Sequence, residues 1–326
     1  MNWGVIGLGH MAKNFANSIK ELEKSDLKGV SSRSFIKLIK FGYRFKIKPK
    51  FLYKNYEKLL LSNDVDNIYI GTLNHTHYEL IQKSIDAGKN ILCEKPFTID
   101  LKQALDIQKK LHGTNVFFLE GIAYRSHPQT KDVLRLISDG HIGKVIKIKS
   151  TFGFDSGKPK KKSRLYNKEY GGGAILDLGC YAISFSLLIA SLIDGLNLKN
   201  FKLRNIKKEI GSTGVDIEAE ADLIFENGFK SKIKSSFQDD YKDTVIIGEK
   251  GSLLIKDAWH GASLIEKKIG KDRSKIFNEE LSNLYSYQIE NISKSLLNNK
   301  KKTYFPGFTI NDTILNTKIL ESWINA

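Results

Sequence analysis

Cysteine is almost missing from this 326-residue chain: Cys93 and Cys180 are the whole supply. Two thiols so far apart make neither a disulfide framework nor a zinc-ligand spacing. They fit a reducing cytoplasm in which both stay reduced and buried. No secretory signal opens the chain, because residues 2–6 read as a strand and a glycine turn follows at once. No apolar run has the length and purity of a membrane span. The most apolar stretch, Tyr181 to Leu196, is broken by Ser184, Ser186, Ser191 and Asp194 and reads as a buried helix. Neither internal repeats nor metal-ligand spacings of histidine occur. His112, His141 and His260 stand alone, and His75 and His77 lack a nearby carboxylate. Carboxylates are the scarcer charge, 36 against 52 basic residues, which gives a formal net charge of +16. The excess is mostly lysine spread along the whole chain, with no aromatic–basic RNA signature. It therefore implies attraction of anionic substrates and cofactors rather than a nucleic-acid partner.

What is present has an order. Asn2-Trp3-Gly4-Val5-Ile6 reads as a short buried strand and Leu27 to Ser31 as a second. Asp66 to Ile70, Asn90 to Cys93 and Val116 to Leu119 continue the series. Helices through Glu23, Tyr78 to Ala87 and Leu101 to Leu111 lie between them. This alternation predicts a doubly wound parallel sheet over residues 1–122. Beyond it the rhythm changes. Helix Pro128 to Ile137, strand Lys144 to Thr151 and a buried helix from Gly173 to Leu192 come first. Strands Phe201 to Ile206, Asp216 to Phe225, Lys230 to Phe237, Thr244 to Ile247 and Ser252 to Ile255 follow without helices between them. Helices return at Leu281 to Leu297 and Ile310 to Trp323. Residues 123–326 therefore read as an α+β domain with an open, mainly antiparallel sheet that keeps one wet face.

Gly7-x-Gly9-x-x-Ala12 follows the first strand and opens a helix. Gly7 permits the tight turn, Gly9 lets a pyrophosphate approach the backbone, and Ala12 lets the helix pack close. An NAD site usually carries a carboxylate at the end of the second strand. Here Ser31-Ser32-Arg33-Ser34 stands there instead. A hydroxyl and a guanidinium suit a ribose 2′-phosphate, so the expected cofactor is NADP rather than NAD. Lys95 lies just past a strand end, where open α/β sheets bind ligands, and Pro96 makes Lys95–Pro96 a candidate cis bond, although trans is the commoner form. The run Gly171-Gly172-Gly173 opens a helix bearing Asp177 and Tyr181, four residues apart and so on one face. Three glycines at a helix start signal a close backbone approach. An ammonium beside a phenol favours phenolate, so Lys95 with Tyr181 could run proton transfer on an alcohol or ketone, with Asp177 holding Lys95 or the substrate hydroxyl. The expectation is that Lys95 and Tyr181 meet across one cleft.

Five segments together resemble the glucose–fructose oxidoreductase / inositol dehydrogenase (Gfo/Idh/MocA) family. They are Gly7-Leu8-Gly9-His10-Met11-Ala12, Thr72-Leu73-Asn74-His75-Thr76-His77, Glu94-Lys95-Pro96, Tyr124-Arg125-Ser126-His127-Pro128, and Gly171 through Tyr181. The resemblance runs nearly the whole chain in order. It implies a Rossmann domain, a C-terminal domain whose sheet often mediates oligomers, and NAD(P)-dependent chemistry on sugars, cyclitols or related alcohols. Tyr181 stands where many members have histidine, as in the branch of dihydrodiol and xylose dehydrogenases and nucleotide-sugar ketoreductases, where the tyrosine is the proposed acid–base. The resemblance further implies that His10 and Met11 belong to the cofactor turn. Thr72, Asn74 and His77 would line the cofactor chiefly through backbone, Glu94 would lie beside the nicotinamide ribose, and Arg125 would lie near the cofactor. Leu73 replaces a common proline, and the segment from Arg33 to Lys54 is divergent.

The expected activity is hydride transfer between NADP and a sugar or polyol in a cytoplasmic homodimer or homotetramer, without nucleic-acid or membrane partners. A nucleotide-sugar ketoreductase of surface-polysaccharide synthesis is the nearest alternative, prompted by the basic loop Lys158 to Arg164, which could meet a diphosphate. A non-catalytic NADP-binding sensor is a second.

Overall fold

The structure is a computed structural model in which residues 1–158, 163–261, 264–277 and 283–326 are described. Packing divides the chain into two units: residues 1–123 with 282–314, and residues 124–281 with 315–326. The sequence marks the change after the parallel sheet but carries no signal that 282–314 returns to the first unit. That return has a physical cause. Tyr285, Ile289 and Ile292, on helix α8 (Leu284–Leu297), join the buried cluster of Trp3, Phe15 and Tyr69.

In the first unit six parallel strands lie in the order β3-β2-β1-β4-β5-β6, where β1 is Asn2–Ile6, β2 Asp26–Ser31, β3 Leu52–Tyr53, β4 Asn67–Ile70, β5 Asn90–Cys93 and β6 Phe118–Glu120. The order reverses between β1 and β4, which opens a crevice at their carboxyl ends. Buried clusters on both faces explain why these strands are apolar throughout rather than alternating. The divergent segment after Arg33 folds as α2, Phe35–Phe45, capped by the Ser34 hydroxyl, which accepts from the Lys37 N–H.

The second unit is built on eight strands in the order β14-β13-β12-β11-β7-β10-β9-β8. Here β7 is Val145–Gly153, β8 Phe201–Ile210, β9 Asp216–Phe225, β10 Lys230–Ser236, β11 Thr244–Gly248 and β12 Gly251–Ile255. Among the described residues only the β7–β10 pair of this sheet is parallel; its other pairings are antiparallel. Strands β13, Leu264–Ile269, and β14, Asp272–Phe277, the latter at the edge, extend the sheet beyond the expected set. On β9, Ala219, Ala221 and Leu223 are buried, while Glu218, Glu220 and Asp222 pair with Lys234, Lys232 and Lys230 of β10 at 2.8–2.9 Å. Alternation thus keeps one face apolar and one charged.

The apolar face holds the helical run Lys168–Ala190. By length and composition alone it could cross a membrane, contrary to the reading from Tyr181 onward, but 94% of its apolar 18-residue window is buried inside the fold. It serves as the core helix of this unit. It is also not α-helical throughout: Ile175–Gly179 forms a π turn, and α7, Cys180–Ala190, continues from it.

Candidate active site

The first unit supplies a nucleotide cradle. Gly7 has φ +87°, and a Cβ there would strike the Gly71 carbonyl at 2.7 Å, so only glycine suits the turn. Gly9 precedes α1, His10–Lys20, and no side chain caps that helix start. A Cβ at Gly9 would meet nothing within 4 Å. The open space at a helix start is where a pyrophosphate fits, held by N–H groups and the helix dipole. Ala12 is fully buried, while His10 and Met11 are exposed.

At the end of β2, the Ser32 hydroxyl accepts from the Ser34 N–H at 3.1 Å, and Arg33 lies over the Tyr56 ring at 5.4 Å. A pocket of about 410 Å³ opens here, lined among others by Arg33, Lys54, Tyr56, Thr72, Leu73 and His75. Glu57 and Glu79 also line it, and its size fits the adenosine end of a dinucleotide. The opposite wall is a 3₁₀ turn, Asn74–Thr76, in which Asn74 is buried. Leu73, in place of a proline, leaves this turn braced all the same: the Thr76 hydroxyl donates to the Leu73 carbonyl at 2.7 Å and lies 2.6 Å from the Thr72 hydroxyl.

His77 is fully buried, with Nδ1 3.0 Å from the Pro96 carbonyl and Nε2 3.3 Å from the Thr72 carbonyl. Its ring therefore ties the Glu94-Lys95-Pro96 loop to the Thr72 loop. The Lys95–Pro96 bond is cis, the rarer form for which the sequence made it a candidate. Glu94 is buried and accepts hydrogen bonds on Oε1 from the hydroxyls of Tyr69, at 2.7 Å, and Tyr285. Burial and then the Glu94 charge push the Tyr69 phenol well above its ordinary range, so it stays a donor.

Sequence reasoning missed Glu120. It ends β6 beside Cys93 and is buried, and its Oε1 accepts from the Phe97 N–H at 3.1 Å. Burial raises its pKa to about 7, against the pull of Thr313, the Phe97 N–H and the Lys95 ammonium. A half-buried lysine and a buried carboxylate whose pKa is raised to about 7 thus lie at one loop, the lysine on it and the carboxylate at the end of β6. No spacing marks Glu120, because only strand pairing brings it to Lys95. Burial, then Glu94 and Glu120, push the Cys93 thiol well up, which makes it an inert core group.

The second unit supplies Asp177 and Tyr181. Asp177 sits in the π turn, nearly buried, and its Oδ1 accepts from Arg164 Nη1 at 2.8 Å. Arg164 is the described end of the basic loop; residues 159–162 of that loop lie outside the described residues. The three glycines serve close approach to the protein itself. Gly171 (φ +72°) and Gly173 (φ +115°) have left-handed backbone, and a Cβ at Gly172 would meet the carbonyls of Arg164, Leu165 and Asn167 below 3 Å. Asp216 then accepts from the Ile175 N–H at 2.6 Å and caps the turn.

Tyr181 opens α7 half-buried, ringed by Phe152 (5.1 Å), Trp259 (5.8 Å) and Tyr124 (6.2 Å) between centroids. Trp259 is held by its indole N–H on the Thr151 carbonyl at 2.9 Å. Arg125 is buried and donates to the Ser184 carbonyl on α7 at 3.2 Å, so its side chain anchors the helix that carries Tyr181. The Tyr124 hydroxyl lies 2.8 Å from that of Ser184, which donates to the Tyr181 carbonyl. An apolar-walled phenol with a buried carboxylate one turn before it can exchange a proton with a hydroxyl stacked on the rings.

Residues 1–121 match the family model described as "Oxidoreductase family, NAD-binding Rossmann fold", and residues 130–254 match the "GFO/IDH/MocA C-terminal domain". The chain is 28% identical to trans-1,2-dihydrobenzene-1,2-diol dehydrogenase of Xenopus tropicalis, over 98% of this chain and 96% of that one. It is also 28% identical to D-xylose 1-dehydrogenase (NADP(+)) 2 of Haloferax volcanii, over 57% of this chain and 54% of that one. Among solved structures, the aldose-aldose oxidoreductase of Caulobacter crescentus, complexed with glycerol, superposes with a TM-score of 0.88 at 21% identity, covering 100% and 97% of the two chains. The 3-ketoreductase KijD10 of Actinomadura kijaniata, in complex with NADP and TDP-benzene, does so at 0.84 and 20%, covering 99% and 96%. At those identities the superpositions speak to the fold.

Proposed function

Because the chain belongs to the Gfo/Idh/MocA family of NAD(P)-dependent oxidoreductases, we propose that it is an NADP-dependent enzyme acting at a hydroxyl-bearing or carbonyl carbon of a sugar or related polyol. The bound dinucleotide would supply or take up the hydride. Gly7, Gly9 and the start of α1 would hold its pyrophosphate, and Ser32 with Arg33 its 2′-phosphate. No carboxylate stands between Leu27 and Tyr56 to favour a bare ribose. Tyr181 would exchange the proton of the substrate oxygen, and Asp177, held by Arg164, would orient the polar face of the π turn; Lys95, just past the end of β5, is the lysine proposed to act with them. The observation that carries the reading is Tyr181 itself, left half-exposed within the Tyr124–Phe152–Trp259 rings, where a pyranose face can stack.

A Tyr181→Phe variant should bind NADPH as the native chain does and lose turnover on its best sugar about 10²–10⁴-fold. Unchanged turnover would remove Tyr181 from the mechanism. A nucleotide-linked sugar is the second reading. One relative, 32% identical over 55% of this chain, is a dTDP-sugar 3-reductase, and the basic loop ending at Arg164 offers cations to a diphosphate. Thermal-shift screening of free and nucleotide-linked sugars separates the two.

A further inference from the structure

We propose that α2 of the first unit docks onto an anionic lipid surface, its outward apolar arc entering the interfacial layer and its cations meeting the head groups. The helix has three faces instead of the usual two. At about 100° per residue, Leu38, Phe41, Gly42 and Phe45 share the arc that packs on the sheet, and all four are buried. Phe35, Ile39, Tyr43 and Ile36 occupy the next arc, and they are exposed by 55%, 45%, 89% and 66%. Lys40, Arg44 and Lys37 fill the remainder, all exposed.

An amphipathic helix that only covers a sheet needs one apolar face. A second one, set in water beside a cationic stripe, is the pattern of helices that lie in a membrane interface. The segment around it strengthens the match. From Leu27 to Tyr56 there are nine cations and no carboxylate, Lys46, Lys48 and Lys50 following directly on the helix.

The charge decides the occupant. A second copy of this chain offering the same face would set like charges against one another. A nucleic acid has no place for Ile36, Ile39 and a phenyl ring. An acidic lipid surface satisfies both the cations and the apolar arc, and it suits a convex helix face rather than a groove. A bilayer span is not required, so the expectation of no membrane partner, which rested on the lack of one, does not bear on peripheral docking.

The test is flotation of the whole protein with phosphatidylcholine vesicles, with and without phosphatidylglycerol. Partition onto the anionic vesicles should be at least about tenfold stronger and should fall with salt. Ile36→Asn with Tyr43→Ser, and separately Lys40→Glu with Arg44→Glu, should each weaken it by about tenfold or more. Both double variants should keep the native thermal midpoint and NADPH binding. Absence of partition at low salt overturns the proposal. So does native-like partition of the Ile36/Tyr43 variant, which would reduce the effect to bare charge. A changed subunit number in that variant would make a second copy the occupant, and binding to polyglutamate but not to vesicles would make it an acidic protein.

Discussion

Arg164 donates to Asp177 at 2.8 Å, joining the end of the basic loop to the π turn that carries the predicted catalytic carboxylate. The guanidinium is half-exposed and the carboxylate is nearly buried. Losing the arginine leaves a desolvated charge, whereas losing both partners does not. Arg164→Ala should therefore destabilise the protein by about 1–2 kcal/mol, and Arg164→Ala in an Asp177→Asn background by distinctly less. Denaturant unfolding of the four-member cycle checks this; additive effects would mean that the pair is not coupled.

Glu120 makes stability depend on pH in a stated direction. Its folded pKa, about 7, lies above the ordinary 4.5. The native state therefore holds a proton that the unfolded chain has lost between those values. Stability from this group is fully present below about pH 4.5, falls as pH rises toward 7, and is flat above. Complete ionisation costs on the order of 3 kcal/mol. Glu120→Gln keeps an acceptor for the Phe97 N–H and removes the titration. Unfolding free energies of the native protein minus those of the variant, measured from pH 5 to 8, should fall with pH; a flat difference would contradict the assignment.

The two glycines of the first turn separate folding from binding. Gly7→Ala must place a Cβ at φ +87° against the Gly71 carbonyl, so the protein should lose about 2–3 kcal/mol. Gly9→Ala meets nothing within 4 Å and should leave stability within about 0.5 kcal/mol. Its methyl instead occupies the space proposed for the pyrophosphate, so NADPH affinity should fall by about tenfold or more. Calorimetric titration beside thermal melting reads both effects.

Arg33→Ala tests the cofactor preference. A charge-assisted bond to a 2′-phosphate contributes about 1.5–3 kcal/mol, so NADPH should bind about 10–100-fold more weakly while NADH changes little. Equal weakening of both would assign Arg33 to the adenine instead.

Much of this was legible in one dimension. Gly7-x-Gly9-x-x-Ala12 after an apolar strand, the strand–helix alternation, Lys95 past a strand end, and Asp177 with Tyr181 on one turn depend on local backbone geometry and short-range periodicity, which the sequence determines directly. The other features needed tertiary structure because they depend on pairs distant along the chain. Glu120 meets the Lys95 loop only because β6 pairs with β5. Glu94 gains Tyr285 only because the segment that carries α8 packs with the first unit. Arg164 finds Asp177, and Asp216 caps the π turn, only once the second sheet has formed. Spacing cannot foretell which buried carboxylate acquires which donor: desolvation and pairing arise where chain segments meet, and that meeting is decided by packing.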